Sequence, residues 1–254
     1  MSDNTTPTYA VYWLLKTRPS WLHLDEVARA QARAEFVATL DRRSPELALR
    51  GAYSLVGLCA EADLALWLHG PDLPAAQTLA AELRRTTLGA HLAWPYTYTG
   101  VATPARYDPS HSAAFVQGVP PKRYLSVYPF VKTAEWYLLP FEERRALMAE
   151  HGQVGRRFSV PREELTALSG GGHGATAVAM RPATTSGGVL TNTVQSFGLG
   201  DQEFVVAFES DDAYEMVRMV EALRATAVRR YTKLDTPIFL GLRKEPAEAL
   251  ADLG

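Results

Sequence analysis

The sequence predicts an α+β fold made of two ferredoxin-like repeats, with antiparallel sheets and helices outside them, as in a dimeric α/β-barrel type domain. Three observations predict this fold. Both halves of the chain contain the order strand, helix, strand, strand, helix, strand. The segments ADLALWLHG and QEFVVAFES align with apolar residues alternating in the same phase. Without any gap, LRRT at 83–86 then falls on LRAT at 223–226, which indicates an internal duplication.

The first repeat is assigned to residues 1–118. TYAVYWLLK is rich in aromatic and β-branched residues and predicts the first strand. Apolar residues recur at helical spacing between 25 and 40 and predict a helix. LRGAYSLVGL and ADLALWLHG predict two strands, and Pro74 opens a second helix that runs to about residue 88. LAWPYTYTGV predicts the last strand of this repeat.

The second repeat, 119–254, follows the same order. RYLSVYPFVK predicts a strand, 141–151 a helix, VLTNTVQSFGL and QEFVVAFES two strands, DAYEMVRMVEALRAT a helix, and DTPIFLGL the final strand. The first strands of the repeats align at a shift of about 115 residues and the later elements at about 140. The difference predicts a Gly-rich insertion at about 159–188, which is typical of a surface loop. His173, within GGGHG, is expected to be an exposed loop residue.

Composition limits the class of protein. The net charge of −2 gives no electrostatic footprint for nucleic acid. A single cysteine, Cys59, excludes an internal disulfide framework and a cysteine-based zinc site. The first ten residues lack the features of a secretory signal, and no apolar run reaches the roughly 20 residues of a membrane span. These features predict a protein of the reducing cytoplasm.

His151 ends the apolar stripe of the helix predicted at 141–151, on the same face as Leu147 and Met148. One interpretation is a cation favoured by the helix dipole, with Gly152 as a left-handed stop. The other is a metal ligand that points into a pocket. The residues alone leave both open.

Three segments carry a resemblance to a known family. They are RYLSVYPFVKTAEWYLLPFEERRALMAEHGQVGR, NTVQSFGLGDQEFVVAFE, and LRATAVRRY with DTPIFLG. Together they resemble the chlorite dismutase-like haem protein family, and within it most closely the coproheme decarboxylases of the actinobacterial type. The resemblance covers nearly the whole chain, is weaker before about residue 53, and is absent from the Gly-rich insertion.

The resemblance implies roles for three residues. His151, in EHGQVGR, matches the proximal histidine that ligates the haem iron. Tyr128, in YPFVK, matches a redox-active tyrosine, although a lone tyrosine on a strand is often a core residue with a wet tip. His111, in YDPSHSAAF, matches a distal histidine that assists peroxide deprotonation, although by itself it could be a plain loop residue.

Three further residues complete the predicted site. Lys132 fits an anchor for a porphyrin propionate, with a solvated surface lysine as the alternative. Trp136 fits an auxiliary aromatic at the propionate edge, with plain packing as the alternative. Thr191 stands where chlorite-degrading members carry an arginine that would hold an anionic oxychlorine species. The threonine therefore argues against chlorite chemistry.

The resemblance implies a peroxide-dependent enzyme of bacterial haem synthesis. Its substrate would be iron coproporphyrin III, also its redox cofactor, and its product haem b after two decarboxylations. The alternatives are a chlorite dismutase-like enzyme, a non-catalytic haem-binding protein, and a structural module without haem. The family also implies a homopentamer and a possible transient contact with coproporphyrin ferrochelatase, without nucleic acid and without a membrane span.

Overall fold

The computed structural model of the chain describes residues 6–103, 112–161, 165 and 188–254. In chain order, the first elements are β1 (Thr8–Thr17), α1 (Glu26–Asp41), β2 (Ala48–Ser54), β3 (Leu64–Gly70), α2 (Leu73–Arg85), α3 (Thr87–Ala90) and β4 (Leu92–Ala102). The later elements are β5 (Tyr124–Lys132), α4 (Ala134–Leu138), α5 (Phe141–Arg156), β6 (Leu190–Thr191), β7 (Val194–Gln195), β8 (Phe204–Ser210), α6 (Ala213–Arg224), β9 (Thr232–Leu234), β10 (Phe239–Lys244) and α7 (Pro246–Ala251).

The chain forms two compact units. Unit 1 comprises Met1–Thr103, Val194–Asp201 and Phe239–Gly254, and unit 2 comprises Pro104–Thr193 and Gln202–Ile238. The units are defined by spatial contact, so they differ from the two sequence repeats. The repeat boundary near residue 118 stays a prediction about the duplication of the chain.

Unit 1 contains an antiparallel sheet in the order β7, β4, β1, β3, β2, β10. Strand β1 pairs with β3 so that Val11 lies opposite Leu68. Alternate residues of these strands point to one face, where they pack with Phe36 of α1 and Leu79 of α2 in a buried core. The strand and helix order predicted for the first repeat is the order that the structure has.

Unit 2 contains the antiparallel sheet β9, β5, β8, β6. Tyr128 on β5 lies opposite Val206 on β8. Tyr124, Tyr128 and Phe130 alternate along β5 and share one face of it, where they belong to one apolar cluster. Met216 and Met219 of α6 belong to the same cluster and cover this face of the sheet. The candidate site is built on this side of unit 2.

Two predicted helix ends differ from the structure. Helix α5 continues through Gly152 to Arg156, and Gly152 has no positive φ angle, so it is not the left-handed stop. The predicted helix from Pro74 to about 88 is divided, because the Thr86 side chain caps a separate short helix, α3. The prediction also omitted α4, β9 and α7.

The segment VLTNTVQSFGL forms two short strands, β6 and β7, where one was predicted. Asn192 lies between them and is fully buried. Its side-chain oxygen accepts from the Phe115 backbone N–H at 2.9 Å, and its amide nitrogen donates to Glu209 at 3.0 Å. These bonds bring the loop before β5 and the side chain of Glu209 against the break between the strands.

No helix in the described parts of the chain is long and apolar enough to cross a membrane. His173 and nearly all of the predicted insertion at about 159–188 lie outside the described residues.

Candidate functional site

All predicted site residues that the structure describes lie in unit 2. They are Tyr128, Lys132, Trp136, His151 and Thr191. His111 lies outside the described residues. The described part of the candidate site is built mainly from the strand β5, the helices α4 and α5, and the residues that follow α6.

His151 lies near the C-terminal end of α5 and is half-buried. Its Nδ1 lies 3.4 Å from Oγ1 of Thr226, which follows α6. The preceding residue, Glu150, accepts a hydrogen bond from the backbone N–H of Ala227 at 3.3 Å. Two consecutive residues of α5 thus contact the turn after α6, and these contacts fix the rotation of the helix about its axis.

The imidazole of His151 is neutral at pH 7. Burial is the main cause that lowers the pKa of His151 to about 4; the nearby positive charge of Lys132 acts in the same direction, and Glu150 opposes the change. A neutral imidazole keeps a lone pair, and that lone pair is what a metal ligand needs. The electrostatics therefore favour the ligand interpretation over the helix-end cation.

Lys132 ends β5, with only 9% of the residue exposed. Its Nζ lies 4.6 Å from the ring centroid of Trp136 and 5.1 Å from that of Phe130. The ammonium itself makes no hydrogen bond or ion pair with any residue in the described ranges, although the backbone N–H of Lys132 donates to Glu203. Aromatic faces stabilise an ammonium but leave its hydrogen-bond donors unused. The position suits an incoming carboxylate.

Burial also makes the positive charge of this lysine easier to lose. Burial is the main cause that lowers the pKa of Lys132 from 10.5 to about 8. Glu203 opposes this change, and Arg229 adds to it. The ammonium form is thus present at pH 7, but it is held at an energetic cost that a bound anion would relieve. The surface-lysine interpretation does not fit this burial.

Glu203 fixes the segment that contains Lys132 and Trp136. One oxygen, Oε2, accepts from the backbone N–H of Lys132 at 2.7 Å and from the Tyr137 hydroxyl at 2.6 Å. The first contact holds the end of β5 and the second holds α4. Trp136 on α4 is buried and packs on Tyr231, with ring centroids 5.7 Å apart. Sequence reasoning missed Glu203.

Tyr128 lies in the middle of β5 with its ring packed edge-on against Phe208, at 6.1 Å between centroids. Burial raises the pKa of the Tyr128 phenol well above its ordinary value, and Asp235 adds to this change. Arg224 and Arg229 oppose it, but both bind the same oxygen of Asp235, at 2.9 and 2.6 Å. The phenol is therefore protonated at neutral pH, and any oxidation of it must also release a proton.

Thr191 lies on β6, opposite Phe208 of β8, and is half-buried. Its backbone carbonyl accepts from Ala114 N–H at 3.2 Å. The residue is uncharged, so it offers an anion no guanidinium-like partner. Its relation to the other site residues stays a prediction.

The residues of unit 2 fit a porphyrin better than a bare metal ion. The described residues contain no group of three or more histidine, cysteine or acidic side chains that could hold a metal by themselves. An iron porphyrin needs only one axial protein ligand, and His151 can supply it. The buried ammonium of Lys132 fits the carboxylates of such a ligand.

Sequence reasoning also missed Thr226 and the cluster of Arg224, Arg229 and Asp235. A signal for Thr226 was present, since the aligned LRRT and LRAT segments each end in threonine. That alignment gives no role to the residue, because the partner of Thr226 is 75 positions away along the chain.

Comparisons with known proteins agree with one another. The family described as chlorite dismutase matches residues 29–172 and 171–244. A coproheme decarboxylase of Mycolicibacterium smegmatis is 32% identical over 251 residues, which covers 98% of this chain and 96% of that protein.

Solved structures of chlorite dismutase from Candidatus Nitrospira defluvii share the fold. The form in complex with imidazole has a TM-score of 0.76 and 24% identity, covering 96% of this chain and 94% of that one. A form with one substitution has a TM-score of 0.77 at the same identity, covering 98% and 95%. These similarities confirm the predicted α+β fold class.

Proposed function

This chain belongs to the chlorite dismutase family of haem-dependent oxidoreductases, and from that premise we propose that it is a coproheme decarboxylase. It would convert iron coproporphyrin III, which is both substrate and redox cofactor, into haem b with hydrogen peroxide. The observation that carries the proposal is the combination in unit 2 of a neutral histidine, a buried lysine whose ammonium has no anionic partner among the described residues, and a buried phenol. The coproheme decarboxylase that matches over nearly the whole chain supports the same activity.

His151 would ligate the iron of the substrate. Its lowered pKa supports this role, since protons compete weakly for the lone pair at any pH well above 4. The iron and peroxide together supply the oxidising power of the reaction. The protein supplies the position of the ring.

Lys132 would hold a propionate of the substrate. A carboxylate beside its ammonium would form a charge-assisted hydrogen bond and offset the cost of burying the cation. Trp136, which packs under the same ammonium, would form one wall of the propionate edge. This arrangement would place acidic side arms of the porphyrin near the end of β5, the strand that also carries Tyr128.

Tyr128 would be the residue that reacts with the propionate. Loss of one electron and one proton from the phenol gives a neutral tyrosyl radical, and the raised pKa of Tyr128 favours the protonated phenol as the starting state. The radical would take a hydrogen atom from the propionate carbon next to the ring, which restores the phenol. Carbon dioxide would then leave as a vinyl group forms, and the second electron would pass to the oxidant that iron and peroxide supply, so each decarboxylation would consume one hydrogen peroxide. His111, predicted as the distal base, would accept the proton of peroxide.

Purified protein mixed with coprohaem and hydrogen peroxide tests the proposal directly. The product mass should show two successive decarboxylations, ending at haem b. Coprohaem that is bleached or left unchanged at stoichiometric peroxide would contradict the proposed activity.

Two alternatives predict different results. A chlorite dismutase-like enzyme would release oxygen from chlorite over many turnovers, and the neutral Thr191 argues against it. A non-catalytic haem-binding protein would need only His151, so that substitution of Tyr128 and His111 would change no reaction. The fold of the solved chlorite dismutases is shared by all of these functions and does not choose among them.

We also propose the homopentameric assembly, the cytoplasmic location and the transient contact with coproporphyrin ferrochelatase that the family resemblance implies. Sedimentation of the purified protein tests the first. Co-sedimentation with the ferrochelatase, with and without bound coprohaem, tests the last.

A further inference from the structure

We propose that Thr226 is a positioning residue that fixes the tautomer and the ring orientation of His151, so that Nε2 faces the iron with a free lone pair. This inference rests on the proposed function, in which His151 is the iron ligand. It assigns to Thr226 the part of hydrogen-bond acceptor behind that ligand.

The direction of the hydrogen bond follows from the bonds of Thr226. A hydroxyl has a single proton, and that of Thr226 is directed to the backbone carbonyl of Leu223 at 2.6 Å. Toward His151, the same oxygen can therefore act only as an acceptor. Nδ1 of His151, 3.4 Å away, must then carry the ring proton, which leaves Nε2 unprotonated.

No other described residue competes for this role. Within the described ranges, the contact with Thr226 is the one hydrogen bond that the imidazole of His151 makes, through Nδ1, and Nε2 makes none there. The 3.4 Å separation is at the long end for a hydrogen bond. Because a metal at Nε2 makes the Nδ1 proton a stronger donor, we expect the contact to shorten when the iron porphyrin binds.

The duplicated segment in unit 1 provides an internal comparison. Thr86, the counterpart of Thr226, also donates to the carbonyl three residues earlier, that of Leu83, at 2.7 Å. Its oxygen then accepts from the backbone N–H of Gly89 at 3.0 Å and so caps helix α3. In both repeats the threonine hydroxyl makes the same backward hydrogen bond.

The two threonines differ in what they accept. The short 3₁₀ segment Ala227–Tyr231 follows Thr226 and receives no side-chain cap from it. The acceptor lone pair that caps a helix at Thr86 is therefore directed at an imidazole at Thr226. Thr226 is also buried, which shields this contact from water. The same local motif thus occurs in both units. In unit 1 its threonine caps a helix, and in unit 2 its threonine contacts the candidate iron ligand.

The kind of group that accepts the hydrogen bond from His151 determines how strongly the imidazole can donate to iron. A hydroxyl that donates its hydrogen bond to a carbonyl stays neutral when it accepts a second hydrogen bond. It therefore polarises the imidazole less than a carboxylate would. We therefore expect an iron–histidine bond typical of a weakly hydrogen-bonded imidazole. Removal of the hydroxyl should weaken that bond further and allow the ring to rotate.

The test compares Thr226→Val, Thr226→Ser and Thr86→Val with the unsubstituted protein, each loaded with coprohaem. The readout is the iron–histidine stretching band of the ferrous form in resonance Raman spectra. We expect Thr226→Val to broaden this band, move it to lower frequency, and increase coprohaem dissociation about tenfold. Thr226→Ser keeps the hydroxyl and should retain the band. An unchanged band in Thr226→Val with bound coprohaem would overturn the inference.

Two controls separate this inference from stability and from the proposed function. Thr86→Val loses the same bond to a leucine carbonyl, so it controls for lost stability and should leave the band in place. If Thr226→Val does not fold, Thr226→Ala takes its place with the same expected shift. His151→Ala should abolish the band. A band that persists in His151→Ala would reject the proposed ligand, whereas one lost there but unmoved in the Thr226 variants would reject the role of Thr226 alone.

Discussion

The ammonium of Lys132 lies 4.6 Å from the ring centroid of Trp136, and the two residues belong to consecutive elements held together by one carboxylate. Glu203 accepts from the backbone N–H of Lys132 and from the hydroxyl of Tyr137, next to Trp136. The buried cation is therefore held in place before any ligand arrives. Preorganisation of this kind lowers the cost of ordering the site when the ligand binds.

Replacement of Tyr128 by phenylalanine should separate binding from reaction. The ring packing against Phe208 is retained, so coprohaem should bind within about twofold of its normal affinity. Decarboxylation should fall by a factor on the order of 10³ or more, because the oxidisable hydroxyl is missing. Product mass after stoichiometric peroxide measures the effect. Tyr124→Phe, on the same face of the same strand, is the control, and normal turnover by Tyr128→Phe would reject the radical role.

Replacement of Lys132 by methionine should have opposite effects on stability and binding. The ligand-free protein should become more stable by ~1–3 kcal/mol at pH 7, because a buried charge that has no anionic partner in the described parts of the chain is removed. Coprohaem affinity should fall about tenfold or more, because a charge-assisted hydrogen bond is lost. Denaturant unfolding and a binding titration measure the two effects. Lys233→Met changes an exposed lysine and should do neither.

The lowered pKa of Lys132 predicts how stability depends on pH. In the unfolded chain the lysine titrates near its ordinary value of 10.5, and in the folded protein at about 8. Between these values the unfolded state binds more protons, so this residue makes the free energy of unfolding rise as pH increases from about 8 to 10.5. Lys132→Met should remove that component. A difference between the two proteins that does not change over this range would contradict the lowered pKa.

Deprotonation of Lys132 should also affect coprohaem binding, but it should lower the affinity where it raises the stability of the ligand-free protein. Above pH 8 the ligand-free protein loses the ammonium that would meet a propionate, so coprohaem affinity should decline as pH rises from 7 to 9. The decline should be absent in Lys132→Met. Binding titrations in buffers of equal ionic strength measure it, since screening also weakens charge pairs.

Removal of iron from the ligand should isolate the contribution of His151. His151→Ala should weaken binding of iron coproporphyrin III strongly and leave binding of metal-free coproporphyrin III nearly unchanged, because only the iron form uses the imidazole. Fluorescence quenching measures the metal-free form and absorbance the iron form. Equal losses for both ligands would indicate that His151 acts through packing instead.

Much of the fold could be predicted because it depends on local pattern. The alternation in β3 and β8 and the aligned LRRT and LRAT segments predict the duplicated elements, and the structure has them in that order. The end of α5 could not be predicted, since Gly152 is compatible with both a stop and a helix interior. The break between β6 and β7 depends on Asn192, whose partners, Phe115 and Glu209, are distant in sequence.

In the candidate site, too, local motifs could be recognised in the sequence, whereas contacts between distant residues could not. The resemblance directed attention to His151, Tyr128 and Lys132 through local motifs. The residues that orient them, Thr226 and Glu203, are 75 and 71 positions away from their partners. No periodicity or short motif relates such pairs, because the chain brings them together only through the packing of α5 on α6 and of β5 beside β8.

The buried ammonium of Lys132 has a consequence for the fate of the product. A buried cation that attracts the acidic side arms of its ligand distinguishes porphyrins by their charge as well as by their shape. Under the proposed reaction, each decarboxylation exchanges a carboxylate of the porphyrin for a neutral vinyl group. The attraction that retains the molecule therefore weakens as conversion proceeds, and turnover itself promotes departure of the finished haem.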